Sequence, residues 1–423
     1  MIRLYQPNKH LRGRIALERS KSLSNRVLVI RELCGTSFSI EYLSGSADTQ
    51  TLEKLLALYR DQKKPANEPL SLDAGAGGAT FRFLAAFLAF QPGTQILTGN
   101  SRMLERPVEP LVDALRSLGA RISYAGRPGF PPLRIEEPNW AAYRSDIKIS
   151  ASISSQFISA LLMVAPLLPY GLRLQLEEEV VSRPYIDMTL DVMRHFGLES
   201  RFLGKEILVP PGVYRPAPFQ VEADWSAASY FYGFAALSDS CDLFLEGLNE
   251  RSLQGDSILA LRMEAFGVKT RFEPGGARLF KKSPCPLPPI LAWDFLENPD
   301  LAQTISVLCA AVGAQGLFSG LETLRIKETD RISALQKELK KIDVELLEMP
   351  DWPGKACFMQ EGLAGWKEAP LFSTYGDHRM AMAFSQLALL GPIRIENPEV
   401  VEKSYPNFWE DLKSLGFGAG QAF

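Results

Sequence analysis

The chain has 423 residues, 46% hydrophobic and 22% charged, an ordinary globular balance with ample core and enough length for two or three domains. Forty-six Lys and Arg stand against 49 Asp and Glu, and the formal net charge of −3 excludes bulk binding of nucleic acid or of an anionic membrane. No apolar run reaches the roughly 18 residues of a membrane helix, and three histidines, His10, His195 and His378, are too few for a His-rich metal centre. Any anion must therefore meet local clusters of Arg and Lys.

Six segments are apolar over most of three helical turns, and each opens on Ser, Asp or Gly, which predicts buried helices with N-caps. In chain order they are "SKSLSNRVLVIREL" (20–33), "GGATFRFLAAFLAF" (77–90), "SSQFISALLMVAPLL" (154–168), "DWSAASYFYGFAAL" (224–237), "DLAQTISVLCAAVGA" (300–314) and "DHRMAMAFSQLALL" (377–390). Between them lie amphipathic segments that often close on glycine and lead into alternating residues: "TLEKLLALYRD", "LVDALRSLGARISY", "LDVMRHFGLESRF", "ILALRMEAFGVKTRF", "ALQKELKKIDVELLE" and "FWEDLKSLGF". A helix, a C-capping glycine and a strand is the economical assignment. The self-similarity predicts an α/β protein of six repeated units, grouped three and three, with crossovers near 17–22 and 219–226. If the buried helices of each half run in parallel, their N-termini converge and their summed positive potential suits a polyanion.

The chemistry-bearing residues cluster at those helix starts. "SKSLSNR" supplies Lys21, Ser22 and Arg26, cations poorly placed against the helix dipole unless they meet an anion. "SLDAGAGGATFRF" (71–83) is either a tight turn or an anion cradle made of backbone N–H groups; it lacks the G-K-[ST] ending of a P-loop, and Thr80 breaks G-x-G-x-x-G. "MLERPVEPL" sets Arg106 before Pro107 and "SRPYIDM" sets Arg183 before Pro184, each proline a candidate first residue of a helix. "ISASISSQF" offers Ser154, Ser155 and Gln156 as neutral donors. Asp300 in "ENPDLAQT" reads first as an N-cap, and second as a carboxylate that could act as a general base. "LRIKETDRI" (324–332) is the densest charged cluster; on a helix Lys327 and Arg331 stand at i, i+4 and Glu328 and Arg331 at i, i+3. "TYGDHRMAM" places His378 beside Arg379, and Lys403 in "VVEKSYPNFW" reads as surface. Taken singly, each cluster also fits an ordinary cap or a solvated face.

Read together, "SKSLSNR", "ERPVEPLVDALR", "SSQFISALLM", "SRPYIDMTLDVM", "EADWSAASYF", "QGD", "PDLAQT", "RIKETDRI", "YGDHRMAM" and "EKSYPNFW" resemble, in order and along essentially the whole chain, the 5-enolpyruvylshikimate-3-phosphate synthase family. The resemblance implies an inside-out α/β barrel architecture: two similar domains, each of three repeated α/β units with buried parallel helices, and an active site in the interdomain cleft. The N-terminal domain would span 20–222, and the C-terminal domain 1–19 and 223–423. The implied reaction transfers the carboxyvinyl group of phosphoenolpyruvate to the 5-hydroxyl of shikimate 3-phosphate and releases phosphate, a step of chorismate and aromatic amino acid biosynthesis.

By the same resemblance, Lys21, Ser22, Arg26, Ser154, Ser155, Gln156, Ser182, Tyr185, Asp300, Thr323 and Lys327 hold shikimate 3-phosphate. Phosphoenolpyruvate meets Lys21, Gly78, Arg82, Arg106, Gln156, Arg331, Arg379 and Lys403, the arginines offering planar forks. Asp300, Glu328, Lys21 and His378 form the catalytic set, with Asp300 as the base for the 5-hydroxyl and Glu328 and Lys21 as candidates for the second proton and for phosphate departure. No metal, cofactor, nucleic acid or membrane is implied, and five singly scattered cysteines fit a cytoplasmic protein, expected to be a monomer.

Two positions depart from the family pattern. Its glycine loop usually reads Asn-Ala-Gly-Thr-x-x-Arg, whereas this chain, aligned on Arg82, has Ala76, Gly77, Gly78 and Ala79. The Asn expected four residues before Lys327 is Thr323. The herbicide glyphosate competes for the phosphoenolpyruvate site in this family, and the altered loop leads us to expect weaker inhibition. The sister transferase acting on UDP-N-acetylglucosamine carries a reactive cysteine in a Gly- and Arg-rich loop, which this chain lacks. A decayed, non-catalytic relative is disfavoured by the joint presence of Lys21, Asp300, Glu328, Arg331, His378, Arg379 and Lys403.

Overall fold

The computed structural model describes residues 1–61, 68–152, 154–281, 287, 289–350 and 355–421. The chain forms two compact units, one of Lys21–Val221 and one of Met1–Ser20 with Glu222–Phe423. Cys285 and the last two residues of the "FGAGQAF" tail lie outside the described residues; Gly418–Gln421 is a strand paired antiparallel with Ile2–Tyr5.

One motif recurs. A strand leads through a buried helix to a parallel neighbouring strand, then through a second helical segment to strands that pair antiparallel. In the Lys21–Val221 unit, Leu70–Asp73 and Gln95–Thr98 are parallel and joined through the helix Gly78–Leu88, and Leu133–Glu136 and Arg121–Tyr124 complete the sheet antiparallel. Asp146–Ser150 and Leu172–Glu177 repeat this through Ser155–Val164, with Glu206–Val209 and Arg201–Leu203 added. The remaining repeat has a two-stranded parallel sheet, Phe219–Gln220 with Ile40–Glu41.

The other unit repeats the pattern three times. Ile290–Asp294 and Gln315–Ser319 are parallel around Ala302–Val312, and Leu371–Phe372 and Ile393–Ile395 are parallel around His378–Phe384. In the third, His10–Ala16 is parallel to Ser240–Glu246, and the whole Lys21–Val221 unit is inserted between the first strand and the helix Trp225–Leu237 that completes the crossover.

The buried helices are the centre of each unit. Lys21–Cys34, Gly78–Leu88 and Ser155–Val164 pack against one another, and so do Trp225–Leu237, Ala302–Val312 and the segment opening at His378. All thirteen residues of Trp225–Leu237 are buried, at roughly 1.5–3 kcal/mol for each large apolar side chain removed from water. Packing there is close enough that a Cβ at Gly233 would collide with the side chain of Gln386. Small polar contacts lie inside the helix bundle: Ser229 and Thr304 hydroxyls meet at 3.0 Å, and Gln386 donates to the Ala383 carbonyl at 2.9 Å.

Caps follow the expected residue types at Ser154, Asp224 and Asp377, whose side chains accept from the N–H groups of Gln156, Ala227 and Arg379. Glycines with left-handed φ close the amphipathic segments at Gly119, Gly197, Gly267 and Gly416. Three expectations need correction. "DHRMAMAFSQLALL" is not one α-helix: it changes to a 3-10 turn at Ser385–Leu389. Pro184 stands in the first turn of Arg183–His195 as expected, but Pro107 precedes its helix, and Pro110 is the proline in the first turn of Glu109–Ser117. Asp300 is not an N-cap: it sits in the 3-10 turn Pro299–Leu301, one turn ahead of the α-helix, with its carboxylate committed elsewhere. Among the described residues no helix is long and apolar enough to cross a membrane.

Candidate active site

In the Lys21–Val221 unit most of the candidate residues stand in the first turns of helices, where exposed N–H groups and the helix dipole favour anions, while Arg106 lies in the loop ahead of Glu109–Ser117. Lys21 opens its helix and pairs with Asp48 at 3.0 Å. Arg26, one turn on, is buried and acts as a strut: it donates to Thr189 Oγ1 at 2.7 Å, the Ser22 carbonyl at 2.7 Å, Ser159 Oγ at 3.0 Å and the Tyr185 carbonyl at 3.0 Å. Burial lowers its pKa to about 10, against a smaller opposing effect of Tyr185. The guanidinium thus fixes Ser22 and Tyr185 relative to the first buried helix.

The glycine-rich loop turns at Gly75, whose φ of 58° needs a residue without Cβ, and whose N–H is received by Asp73 at 2.8 Å. Gly78 is the first residue of the helix it feeds. A Cβ at Gly78 would lie 2.5 Å from Arg82 Nη1 and 2.6 and 2.8 Å from Arg106 Nη1 and Nη2. Two buried guanidiniums therefore converge on one bare Cα at the positive end of a helix, an arrangement that an anion would stabilise. Arg82 is aimed by Gln156, whose Oε1 accepts from it at 2.6 Å, and by Phe157, whose ring centre is 5.1 Å from the guanidinium. Gln156 in turn sits in the first turn of a helix capped by Ser154. The loop is tied down by Thr80, whose hydroxyl donates to the Asp48 carbonyl at 3.0 Å, so a hydroxyl one residue beyond the family's threonine position anchors the segment. Ser182 holds a left-handed φ of 53° ahead of the helix that carries Tyr185.

The second group belongs to the other unit and is organised around Arg331, which is 1% exposed. Its Nε donates to Asp377 at 2.7 Å, Nη1 to Asp300 at 3.1 Å and Nη2 to Glu328 at 2.8 Å. Burial pulls the Arg331 pKa down, but the charges of Asp377, Glu328 and Asp300 more than reverse that and leave it raised. Asp300 also meets Arg379 at 2.8 Å, and Glu328 also meets Lys403 at 3.1 Å. The result is a chain of alternating charge, Arg379, Asp300, Arg331, Glu328 and Lys403. Asp377 is fully buried and does two jobs, capping its helix through the Arg379 N–H at 2.9 Å and receiving Arg331. His378 is buried beside it, with Nδ1 3.6 Å from Asp377 Oδ1. Thr323 and Lys327 are half-buried in the turn before Glu328.

The expected helix through "KETDR" is absent. Glu322–Ile326 is a 3-10 turn, Lys327 to Asp330 is irregular, and the α-helix starts only at Arg331, where Asp330 caps it by accepting from the Ser333 N–H at 3.1 Å. Glu328 still reaches Arg331 because the backbone turns back ahead of the cap. The reading of Lys403 as surface also fails, since it closes a 3-10 turn with its side chain 13% exposed and paired with Glu328. Sequence reasoning missed Asp48 and Asp377 as organisers. Asp377 carried a signal, an acid heading a buried helix; Asp48, in the first turn of Ala47–Asp61, carried none.

The family model for EPSP synthase (3-phosphoshikimate 1-carboxyvinyltransferase) matches residues 5–412. The 3-phosphoshikimate 1-carboxyvinyltransferase of Bacteroides fragilis (strain YCH46) is 44% identical over 414 residues, 96% of either chain. That of Cellvibrio japonicus (strain Ueda107) is 37% identical over 427 residues, covering 96% of this chain and 97% of its own. Among solved structures, EPSP synthase from Acinetobacter baumannii matches with a TM-score of 0.73 at 22% identity over 99% of this chain and 100% of that one. The enolpyruvyl transferase NikO from Streptomyces tendae matches with a TM-score of 0.72 at 14% identity over 100% and 99%. At those identities the two structural likenesses speak to the fold alone. On sequence, the chain belongs to the EPSP synthase (3-phosphoshikimate 1-carboxyvinyltransferase) family.

Proposed function

We propose that the chain carries out its family's reaction, transfer of the carboxyvinyl group of phosphoenolpyruvate to the 5-hydroxyl of shikimate 3-phosphate, with the residues above in the following roles. Gly78, Arg82 and Arg106 receive the phosphoenolpyruvate phosphate, while Lys21, Gln156, Arg331, Arg379 and Lys403 hold the rest of that substrate. Shikimate 3-phosphate is held by Lys21, Ser22, Arg26, Ser154, Ser155, Gln156, Ser182, Tyr185, Thr323 and Lys327. The observation that carries this reading is the Asp300 carboxylate fixed between two guanidiniums, at 3.1 Å from Arg331 and 2.8 Å from Arg379.

Asp300 takes the proton of the 5-hydroxyl as that oxygen bonds to C2 of phosphoenolpyruvate, and a second proton goes to its C3 methylene from Glu328 or Lys21, giving a tetrahedral intermediate. Collapse breaks the C2–O bond to phosphate, and C3 returns a proton to restore the vinyl group. Arg331 orients Asp300 and Glu328 together, and His378 lies against Asp377 behind them. The free thiols of Cys34, Cys241, Cys309 and Cys357 fit a reducing cytoplasm, and a monomer is the assembly we assign.

The test is phosphate release from phosphoenolpyruvate with shikimate 3-phosphate as acceptor, repeated with UDP-N-acetylglucosamine. Release with the first alone is the expected result. Release with the second alone would assign the sister reaction, and release with neither would make the chain a binding protein.

A further inference from the structure

One buried carboxyl of the Asp300 unit has no part in the roles above. Asp256, in the 3-10 turn Gly255–Ile258, is 4% exposed. Its Oδ2 accepts from Ser226 Oγ at 2.5 Å, and its Oδ1 accepts from Asn298 Nδ2 at 3.1 Å. Ser226 belongs to the first turn of the buried helix Trp225–Leu237. Asn298 precedes the turn Pro299–Leu301 that carries Asp300, and its carbonyl receives the Leu301 N–H at 3.1 Å.

The segment around Asp256 is itself anchored. Gln254 accepts from the Trp225 N–H at 3.1 Å and donates to Glu222 Oε1 at 3.0 Å and to the Ala223 carbonyl at 2.7 Å. Leu253 N–H and Ser252 Oγ also donate to that Glu222 oxygen, at 3.2 and 2.6 Å. A rigid platform therefore ends in a carboxylate whose two oxygens hold a helix start on one side and the Asp300 turn on the other. Burying a carboxyl costs free energy that an apolar residue would not, so its presence calls for a role beyond packing.

We infer that Asp256 is a positioning residue for Asp300: through Asn298 it fixes the Pro299–Leu301 turn, and with it the place of the Asp300 carboxylate between Arg331 and Arg379. Burial and the neighbouring charge of Asp300 raise the Asp256 pKa to about 6, with Ser226, Arg379 and Asn298 opposing. Asp300 and Arg379 are the charged groups acting on it, so Asp256 shapes the electrostatics of the base as well as its geometry. This inference rests on the reading of Asp300 as the base.

The experiment compares Asp256→Ala, Asp256→Asn and Asn298→Ala with Asp300→Asn in steady-state kinetics for both substrates, with pH profiles of kcat and thermal unfolding. Asp256→Ala is expected to lower kcat by about 10- to 100-fold, the size of effect that a misplaced catalytic group produces, while both KM values stay within about threefold. Asp256→Asn keeps an acceptor for Asn298 and should recover most of the lost turnover. Because Asp256 carries its charge only above about pH 6, the neutral amide should change the kcat profile in that range and leave the limb below it in place. Unchanged kcat and an unchanged profile in both Asp256 variants, with Asp300→Asn inactive, overturn the inference alone. Full turnover in Asp300→Asn overturns it together with the reading of Asp300. If Asp256→Ala does not fold, Asn298→Ala decides: lowered kcat at retained KM supports the inference, and unchanged kcat overturns it.

Discussion

Replacing Gly78 by Ala adds a single methyl where two guanidiniums converge. Gly78 is helical and outside the left-handed region, so the backbone accepts alanine, and helix propensity favours the change by up to about 1 kcal/mol. The cost falls on the arginines. To restore an ordinary 3.4 Å contact, Arg82 would withdraw by about 0.9 Å from its 2.5 Å approach and Arg106 by about 0.8 Å from its 2.6 Å approach. Hydrogen bonds to charged groups are worth about 1.5–3 kcal/mol. Losing the equivalent of one such bond raises the KM for phosphoenolpyruvate by roughly 10- to 150-fold, at 1.4 kcal/mol per factor of ten. Affinity for shikimate 3-phosphate and the unfolding midpoint should hold. Steady-state kinetics with each substrate varied in turn, beside a thermal melt, is the assay. A phosphoenolpyruvate KM within twofold of wild type, or a collapsed melting temperature, would refute the reasoning.

Arg331→Met leaves Asp377, Asp300 and Glu328 without their shared cation, and breaking a buried pair costs about 3–5 kcal/mol; the melting temperature should fall by roughly 10 °C, and an unchanged melt would contradict the hub. Tyr375→Phe removes the 2.6 Å hydrogen bond to fully buried Glu338, which also holds the Ser373 N–H at 3.0 Å, and should cost about 1–3 kcal/mol in urea unfolding. Asp256 titrates near 6 in the folded chain against 3.8 for the ordinary group, so the folded state binds more protons between those values and loses stability as pH rises through them. Urea unfolding at pH 4 and pH 7 should show Asp256→Asn sparing up to about 3 kcal/mol of that loss; parallel pH dependences in the two proteins would speak against it. Glyphosate, assayed at matched phosphoenolpyruvate saturation, should inhibit more weakly than it does a family member with Asn and Thr in the glycine loop, and an equal inhibition constant would dispose of the loop argument.

The six buried helices were legible because three turns of apolar residues behind a polar first residue have few other uses, and Ser154, Asp224 and Asp377 cap as their residue types require. Sheet order was not legible. The strand Ile2–Tyr5 pairs with Ile393–Ile395 and Gly418–Gln421, and His10–Ala16 pairs with Ser240–Glu246 across an inserted unit of some two hundred residues, which no local pattern encodes. In the candidate site, motifs flagged residue types at the right places but misjudged backbone state. For "KETDR" the charge spacing predicts a helix, whereas the structure makes the Glu328–Arg331 contact from an irregular stretch that ends at Asp330, the cap of the helix opening at Arg331. Asp300 looked like a cap because capping and ion pairing ask for the same residue, and only the 3-10 turn and the two arginines separate them. The ties that hold "DAGAGG", the Thr80 hydroxyl on the Asp48 carbonyl and the Gly75 N–H on Asp73, were not legible, because the first joins segments more than thirty residues apart.

The most direct test of the account is Asp300→Asn, measured for both turnover and equilibrium binding of shikimate 3-phosphate. With the carboxylate as the base, phosphate release should fall by about a hundredfold or more while affinity changes by no more than a few-fold, the amide keeping the shape of the group between Arg331 and Arg379. Turnover equal to wild type would contradict the assignment of Asp300.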